Sequence, residues 1–223
     1  MEERIIRSAR YSGVLALLAL ALWAYCVWAA PLVIDPPGQK ILYVHVPNVA
    51  PAYLGFILTA IGGIGFLSTR SDEWDRLALA CAEVGVVFCT LLLVSGPIWA
   101  KAAWNAWWVW DLRLIATTVL WFIYVAYLFL RSFAEGSDSA RTFAAVYGVL
   151  GTLAIPFVRF AVDLAGSRTL HPTQADRSIE GVATALLAGT IAFLLIFCWL
   201  VAKRLAVARL EATIAEQRRA EPA

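Results

Sequence analysis

Histidine and paired cysteine are what this chain has least of. Among its 223 residues only His45 and His171 are histidine, and only Cys26, Cys81, Cys89 and Cys198 are cysteine. No two cysteines form a Cys-x-x-Cys pair and all four fall in apolar runs, so thiol redox chemistry and zinc binding are both poorly supplied. Small, buried, apolar residues is the reading that suits all four. No internal repeat and no low-complexity segment is visible, which argues against a repeat architecture. The net charge is only +2 and gives no pointer to nucleic acid.

What the chain has in excess is apolar length. At 61% hydrophobic residues and a mean hydropathy of +0.75, the composition is that of a polytopic membrane protein. Crossing about 30 Å of hydrocarbon takes about 20 residues. Six runs qualify, near 13–30, 49–67, 78–98, 114–130, 142–162 and 181–201. They are continuous rather than alternating, and lipid demands internally satisfied backbone, so they are expected to be helices. The expected fold is an all-α bundle of six transmembrane helices, residues 1–202, followed by a charged cytoplasmic tail, 203–223, that continues as a helix. Arg4, Arg7 and Arg10 before the first run suggest a signal peptide, but Trp28 spoils the small-x-small cleavage pattern and a retained helix is expected.

Basic residues set the orientation. With the N-terminus inside, Arg4, Arg7, Arg10, Arg70, Arg76, Arg131, Arg141, Lys203, Arg204, Arg209, Arg218 and Arg219 are cytoplasmic. Lys40, Lys101, Arg113, Arg159, Arg168 and Arg177 are outside. Twelve against six places both termini in the cytoplasm. The outer connections (Pro31–Asn48, the segment around Trp104–Asp111, and Asp163–Glu180) are longer and chemically richer than the inner ones.

Five tryptophans fall within the twelve residues Trp99–Trp110, beside Asp111. Read helically, Trp104, Trp107, Trp108 and Asp111 share one face and make a flat aromatic platform with a carboxylate at one end. Trp23, Trp28, Trp121 and Trp199 are scattered, as belt or lipid-facing residues are. Both histidines lie on the platform's side. Tyr43-Val44-His45-Val46-Pro47 precedes the second helix, with Pro47 suited to a first turn. In Thr169-Leu170-His171-Pro172, the proline holds His171 extended. A lone histidine at a membrane edge is commonly a polar anchor. Two on one side with an aromatic platform point to a planar tetrapyrrole, which needs only two axial imidazoles because the macrocycle supplies four donors.

Lys101, Arg113, Arg159 and Arg168 are candidates to meet propionates, although snorkelling explains any one of them equally well. Asp111 could orient an imidazole or fix the loop through Arg113 or the backbone. Glu83, within the third helix, is expected to face protein as a structural hydrogen-bonding group. Asp163, one turn after Arg159, is expected to pair with it.

The string Trp104-Asn105-Ala106-Trp107-Trp108-Val109-Trp110-Asp111-Leu112-Arg113-Leu114 resembles the tryptophan-rich motif of the haem-handling proteins of cytochrome c maturation. Size, six helices and two flanking histidines make the chain similar to the CcmC family in particular, over nearly the whole transmembrane part. It departs from the pattern at Ala100 and Asn105, where the family commonly has glycine, and the tail after Lys203 is longer than the family needs. The resemblance implies transient binding of haem b at the periplasmic face of the bacterial inner membrane. His45 and His171 would be axial ligands, and Trp104, Trp107, Trp108, Trp110, Asp111 and Arg113 would line the ring. It implies delivery to the periplasmic haem chaperone CcmE, with the small membrane protein CcmD and the ABC transporter CcmA/CcmB as partners. Larger relatives that attach haem to apocytochrome use further histidines within helices, so a delivery protein rather than an enzyme is expected.

Three other functions remain compatible with an aromatic outer loop. A quinone-dependent redox subunit would normally carry histidine or acidic relays inside its helices. A binder of lipid-linked sugar should offer several carboxylates near the platform, and Asp111 is alone. A membrane scaffold would use the loop only for docking.

Overall fold

The computed structural model describes residues 2–29, 39–133, 137–166, 169–170 and 182–220. Within them every regular element is helical: α1 (Glu2–Ala29), α2 (Leu42–His45), α3 (Val49–Thr69), α4 (Asp72–Trp104), α5 (Leu112–Ser132), α6 (Asp138–Thr152), α7 (Ala154–Ala165) and α8 (Val182–Ala220). Short 3-10 turns, Gln39–Ile41 and Val46–Asn48, flank α2. Five stretches are long and apolar enough to cross a membrane: Leu42–Thr69, Asp72–Trp104, Leu112–Ser132, Asp138–Ala165 and Val182–Ala220. The apolar part described for α1, Gly13–Tyr25, is shorter.

α3 and α4 form the tightest pair. A Cβ on Gly55 would lie 2.7 Å from the Gly85 Cα, and one on Gly62 would lie 2.9 Å from the Ala78 Cβ. Small residues let the two backbones touch, the usual basis of helix association where lipid and side chain are equally apolar. α5 and α6 pack beside this pair, and Tyr124 locks them together. Its ring stacks on Phe56 at 3.8 Å, and its hydroxyl sits 2.6 Å from the Thr152 Oγ1 and 3.0 Å from the Gly148 carbonyl.

The run expected at 142–162 is interrupted at Leu153, between α6 and α7. Pro156 explains it, because it has no N–H to donate to the Thr152 carbonyl one turn earlier. The Thr152 hydroxyl is taken up in the Tyr124 cluster instead.

The arginine-rich end of the bundle is closed by ion pairs. Asp75, only 7% exposed, accepts from Arg131 (2.8 Å) and Arg141 (3.1 Å). Asp72 also pairs with Arg141. Glu83 pairs with Arg204 of α8 through both carboxylate oxygens, the structural role expected of it. Glu73 reaches Arg209, further along the same helix. α8 runs unbroken through Ala220, about 58 Å at 1.5 Å per residue, well beyond a bilayer core.

Three expectations about single residues change. Trp23 is not a lipid-facing belt residue: it donates to the Tyr43 carbonyl at 2.9 Å and packs on Phe193. Trp121 likewise turns inward and donates to the Thr90 hydroxyl at 2.8 Å. Both follow from the cost of leaving an indole N–H unpaired in hydrocarbon. Of the cysteines, Cys81 and Cys89 are buried but Cys198 is exposed on α8; the side chain of Cys26 lies outside the described residues. Trp28 is exposed, as expected.

Candidate functional site

The site is assembled at the end of the bundle opposite the ion pairs, where α2, the last turns of α4, the tryptophan loop and the segment after α7 meet. His45 closes α2, and Pro47 occupies the first turn of the following 3-10 element. Asn48, buried, donates to the Val44 carbonyl at 2.7 Å, and Trp23 holds the Tyr43 carbonyl. Side chains on both sides of His45 therefore pin its backbone. Its imidazole lies against α4. Nδ1 is 3.0 Å from the Ser95 Oγ, a Cβ on Gly96 would come to 3.4 Å from its Cε1, and its ring is nearly parallel to that of Trp99, with centroids 6.4 Å apart. Trp99 in turn meets Trp104 edge-on at 4.9 Å. Pro97 sits in this turn of α4 and leaves the Leu93 carbonyl without its usual amide donor.

The helical platform is overturned. α4 ends at Trp104 because Asn105 takes a left-handed conformation (φ 56°, ψ 22°), which asparagine tolerates better than most side chains. The family resemblance implies glycine at this position, and a positive φ is the conformation that glycine and asparagine both accept. Lys101 completes the cap, donating to the Asn105 Oδ1 at 2.8 Å and to its carbonyl at 3.3 Å.

From Asn105 the chain runs as a loop until Asp111 caps α5. Trp104, Trp107, Trp108 and Asp111 do not share one helical face. Trp107 and Trp110 are 62% and 83% exposed, whereas Asp111 is 5% exposed. Trp108 is half-buried, edge-on to Trp110 at 6.0 Å, and its indole Nε1 is buried with no hydrogen-bond partner among the described residues.

Asp111 carries the most connections. Oδ1 accepts from its own helix at the Arg113 amide (3.0 Å). Oδ2 accepts from the Thr169 hydroxyl (2.5 Å) and the Leu170 amide (3.1 Å). One buried carboxylate thus caps α5 and ties the tryptophan loop to the two residues that precede His171. His171 and Arg168 lie outside the described residues.

Arg113 reaches across to α7, donating to the Arg159 carbonyl at 3.3 Å. Arg159 lies over the Phe160 ring; no ion pair between Arg159 and Asp163 occurs among the described residues, contrary to expectation. Ser95 and Gly96 were not singled out from sequence, though they stand about one helical turn before Trp99. Among the described residues no cluster of three or more histidine, cysteine, aspartate or glutamate side chains could hold a metal ion.

The arrangement can do two things chemically. Trp107 and Trp110 offer exposed indole faces to a large flat apolar molecule, and His45 offers an imidazole set by three neighbours. Such a set could hold a haem, with aromatic faces for the ring and a nitrogen donor for iron.

Residues 2–222 match the family described as CcmC, Heme exporter protein C. A "Putative cytochrome c biosynthesis ccmC-like mitochondrial protein" of Marchantia polymorpha is 32% identical over 162 residues, covering 70% of this chain and 68% of that protein. The "Heme exporter protein C" of Bradyrhizobium diazoefficiens is 29% identical over 200 residues, covering 85% and 75%. That of Escherichia coli strain K12 is 28% identical over 143 residues, covering 64% and 58%. With a match over nearly its whole length, this multi-pass helical chain belongs to the CcmC family.

Proposed function

We propose that the protein binds haem b transiently at the periplasmic face of the bacterial inner membrane and hands it to the chaperone CcmE for cytochrome c maturation. Haem is cargo, and the protein is a binding and transfer protein rather than an enzyme. His45 and His171 are the two axial ligands. Trp107, Trp108 and Trp110 meet the ring and the incoming chaperone, Trp104 backs His45 through Trp99, and Arg113 with its neighbours balances propionate charge. Six helices cross the membrane with both termini in the cytoplasm. CcmD and the CcmA/CcmB transporter complete the assembly, and α8 beyond Lys203 faces them from the cytoplasm.

The observation that carries this reading is the Asp111 clamp. Its Oδ2 accepts from Thr169 and Leu170, so the tryptophan loop and the approach to His171 are held at the end of the bundle that also bears His45. A carboxylate buried for that purpose is not a group aimed at the ligand; its role is to fix geometry, which is what a delivery site needs. Trp110 at the exposed edge suits a loop that must present cargo to a second protein.

Transfer is the direct test. Membranes carrying the protein and a CcmE-type chaperone are supplied with haem, and the chaperone is assayed for covalently retained haem on a denaturing gel. Haem-stained chaperone that depends on this protein and falls with Trp110→Ala is expected. A chaperone that loads equally well without the protein contradicts the proposal.

A further inference from the structure

Ser95 sits on α4, 6% exposed, and has one hydroxyl proton to give. That proton goes to the Leu91 carbonyl, 2.6 Å away and one turn earlier, with the Leu92 carbonyl at 3.3 Å as a weaker second acceptor. The same oxygen lies 3.0 Å from the His45 Nδ1. With its proton committed to the helix backbone, the hydroxyl can meet the imidazole only as an acceptor, so Nδ1 must be the nitrogen that carries hydrogen. In a neutral imidazole the lone pair is then on Nε2, the nitrogen turned away from Ser95.

We infer that Ser95 is the positioning residue for His45, locking it as the Nδ1–H tautomer so that Nε2 is the iron donor. The inference rests on His45 being an axial ligand, as proposed above, but the tautomer itself does not. Gly96 and Trp99 contribute the rest of the mount. The glycine lets the ring lie against the α4 backbone and the indole runs nearly parallel to it, so ring rotation is restricted while the hydrogen bond selects the tautomer. A hydrogen bond donated from the distal ring N–H also makes the other nitrogen a stronger donor. Outer partners of this kind commonly change metal affinity by about 10–100-fold.

The test uses the full-length protein in detergent, without haem, labelled with nitrogen-15 at histidine. At about pH 8.5, well above the ordinary imidazole pKa, ring nitrogen shifts report the tautomer directly. The chain has two histidines, so the His45 signals are those lost in His45→Ala. The expected result is a single Nδ1–H tautomer in the wild type, retained in Ser95→Thr and replaced by a mixture in Ser95→Ala. After loading with haem, Ser95→Ala should hold ferric haem about tenfold less tightly and show a raised reduction potential, with Ser95→Thr restoring both. An Nε2–H tautomer in the wild type, or a tautomer unchanged by Ser95→Ala, overturns the inference. Undiminished haem retention in His45→Ala instead overturns the ligand reading and leaves the tautomer result standing.

Discussion

At one end of the bundle Asp75 is buried between Arg131 and Arg141, and Glu83 and Glu73 tie α8 to α4 through Arg204 and Arg209. At the other, Trp107 and Trp110 stand exposed and the buried carboxylate, Asp111, is turned inward onto amides and a hydroxyl. The first end uses charge to satisfy charge, and what it achieves is closure. The second uses a buried charge, the only one there among the described residues, to hold a loop and leaves aromatic surface open. Polar residues alone would have drawn attention to the first end, since it has far more of them. Their partners show that those charges answer one another across helices, whereas Trp107 and Trp110 at the other end leave most of their surface exposed.

The sharpest way to break the comparison is to put a structural lesion at the closed end. Asp75→Ala leaves Arg131 and Arg141 without their shared carboxylate, and the Arg131 Nε and Nη1 are already buried with no hydrogen-bond partner among the described residues. Removing one member of a buried pair costs about 3–5 kcal/mol. A large fall in thermal midpoint in detergent is expected, with an unchanged haem spectrum per folded molecule. A selective loss of haem at unchanged stability would mean that this end is not merely structural.

Asp111→Asn makes the reciprocal change. The amide keeps shape but loses charge and one acceptor, at a local cost of about 1–3 kcal/mol. Haem retention should fall strongly while the helical midpoint moves little, measured side by side on the same preparation. Equal retention would detach the clamp from function.

Trp110→Ala removes an exposed ring, so stability should change by about 0.5 kcal/mol or less, yet loading of the chaperone should drop several-fold. The smallest effect belongs to Arg209→Ala. Its pairing with Glu73 is more than half exposed, and such pairs contribute about 0–1 kcal/mol. A midpoint shift as large as that of Asp75→Ala would show that the α8 extension is held far more tightly than its exposure implies.

Hydropathy made the helices legible, because a spanning segment must be continuously apolar whatever it packs against. Five of the expected runs correspond to long apolar helices, and the first overlaps α1, whose described apolar part, Gly13–Tyr25, is shorter. The density of tryptophan also marked the loop, since anchoring does not require five indoles in so short a stretch. What escaped was conformation and partnership.

The helical phase from Trp104 to Asp111 failed at one residue. Asn105 is a helix-ending type that adopts positive φ, and weighing it as a cap would have stopped the helix there. The break at Leu153 had a visible cause in Pro156. Trp23 and Trp121 were misplaced because their acceptors are 20 and 31 residues away, which periodicity does not encode. Ser95 was invisible for a related reason: a small polar residue inside an apolar helix normally bonds back to its own turn. Only the fold brings His45 to its other side.

The central claim, that two imidazoles at the tryptophan end hold a haem, is tested most directly by absorption spectroscopy. The purified protein, co-expressed with its chaperone, is compared with the His45→Ala/His171→Ala double variant at matched protein concentration. The account predicts a Soret band with six-coordinate low-spin features in the wild type and its loss in the variant. An undiminished low-spin Soret band in the double variant would contradict it.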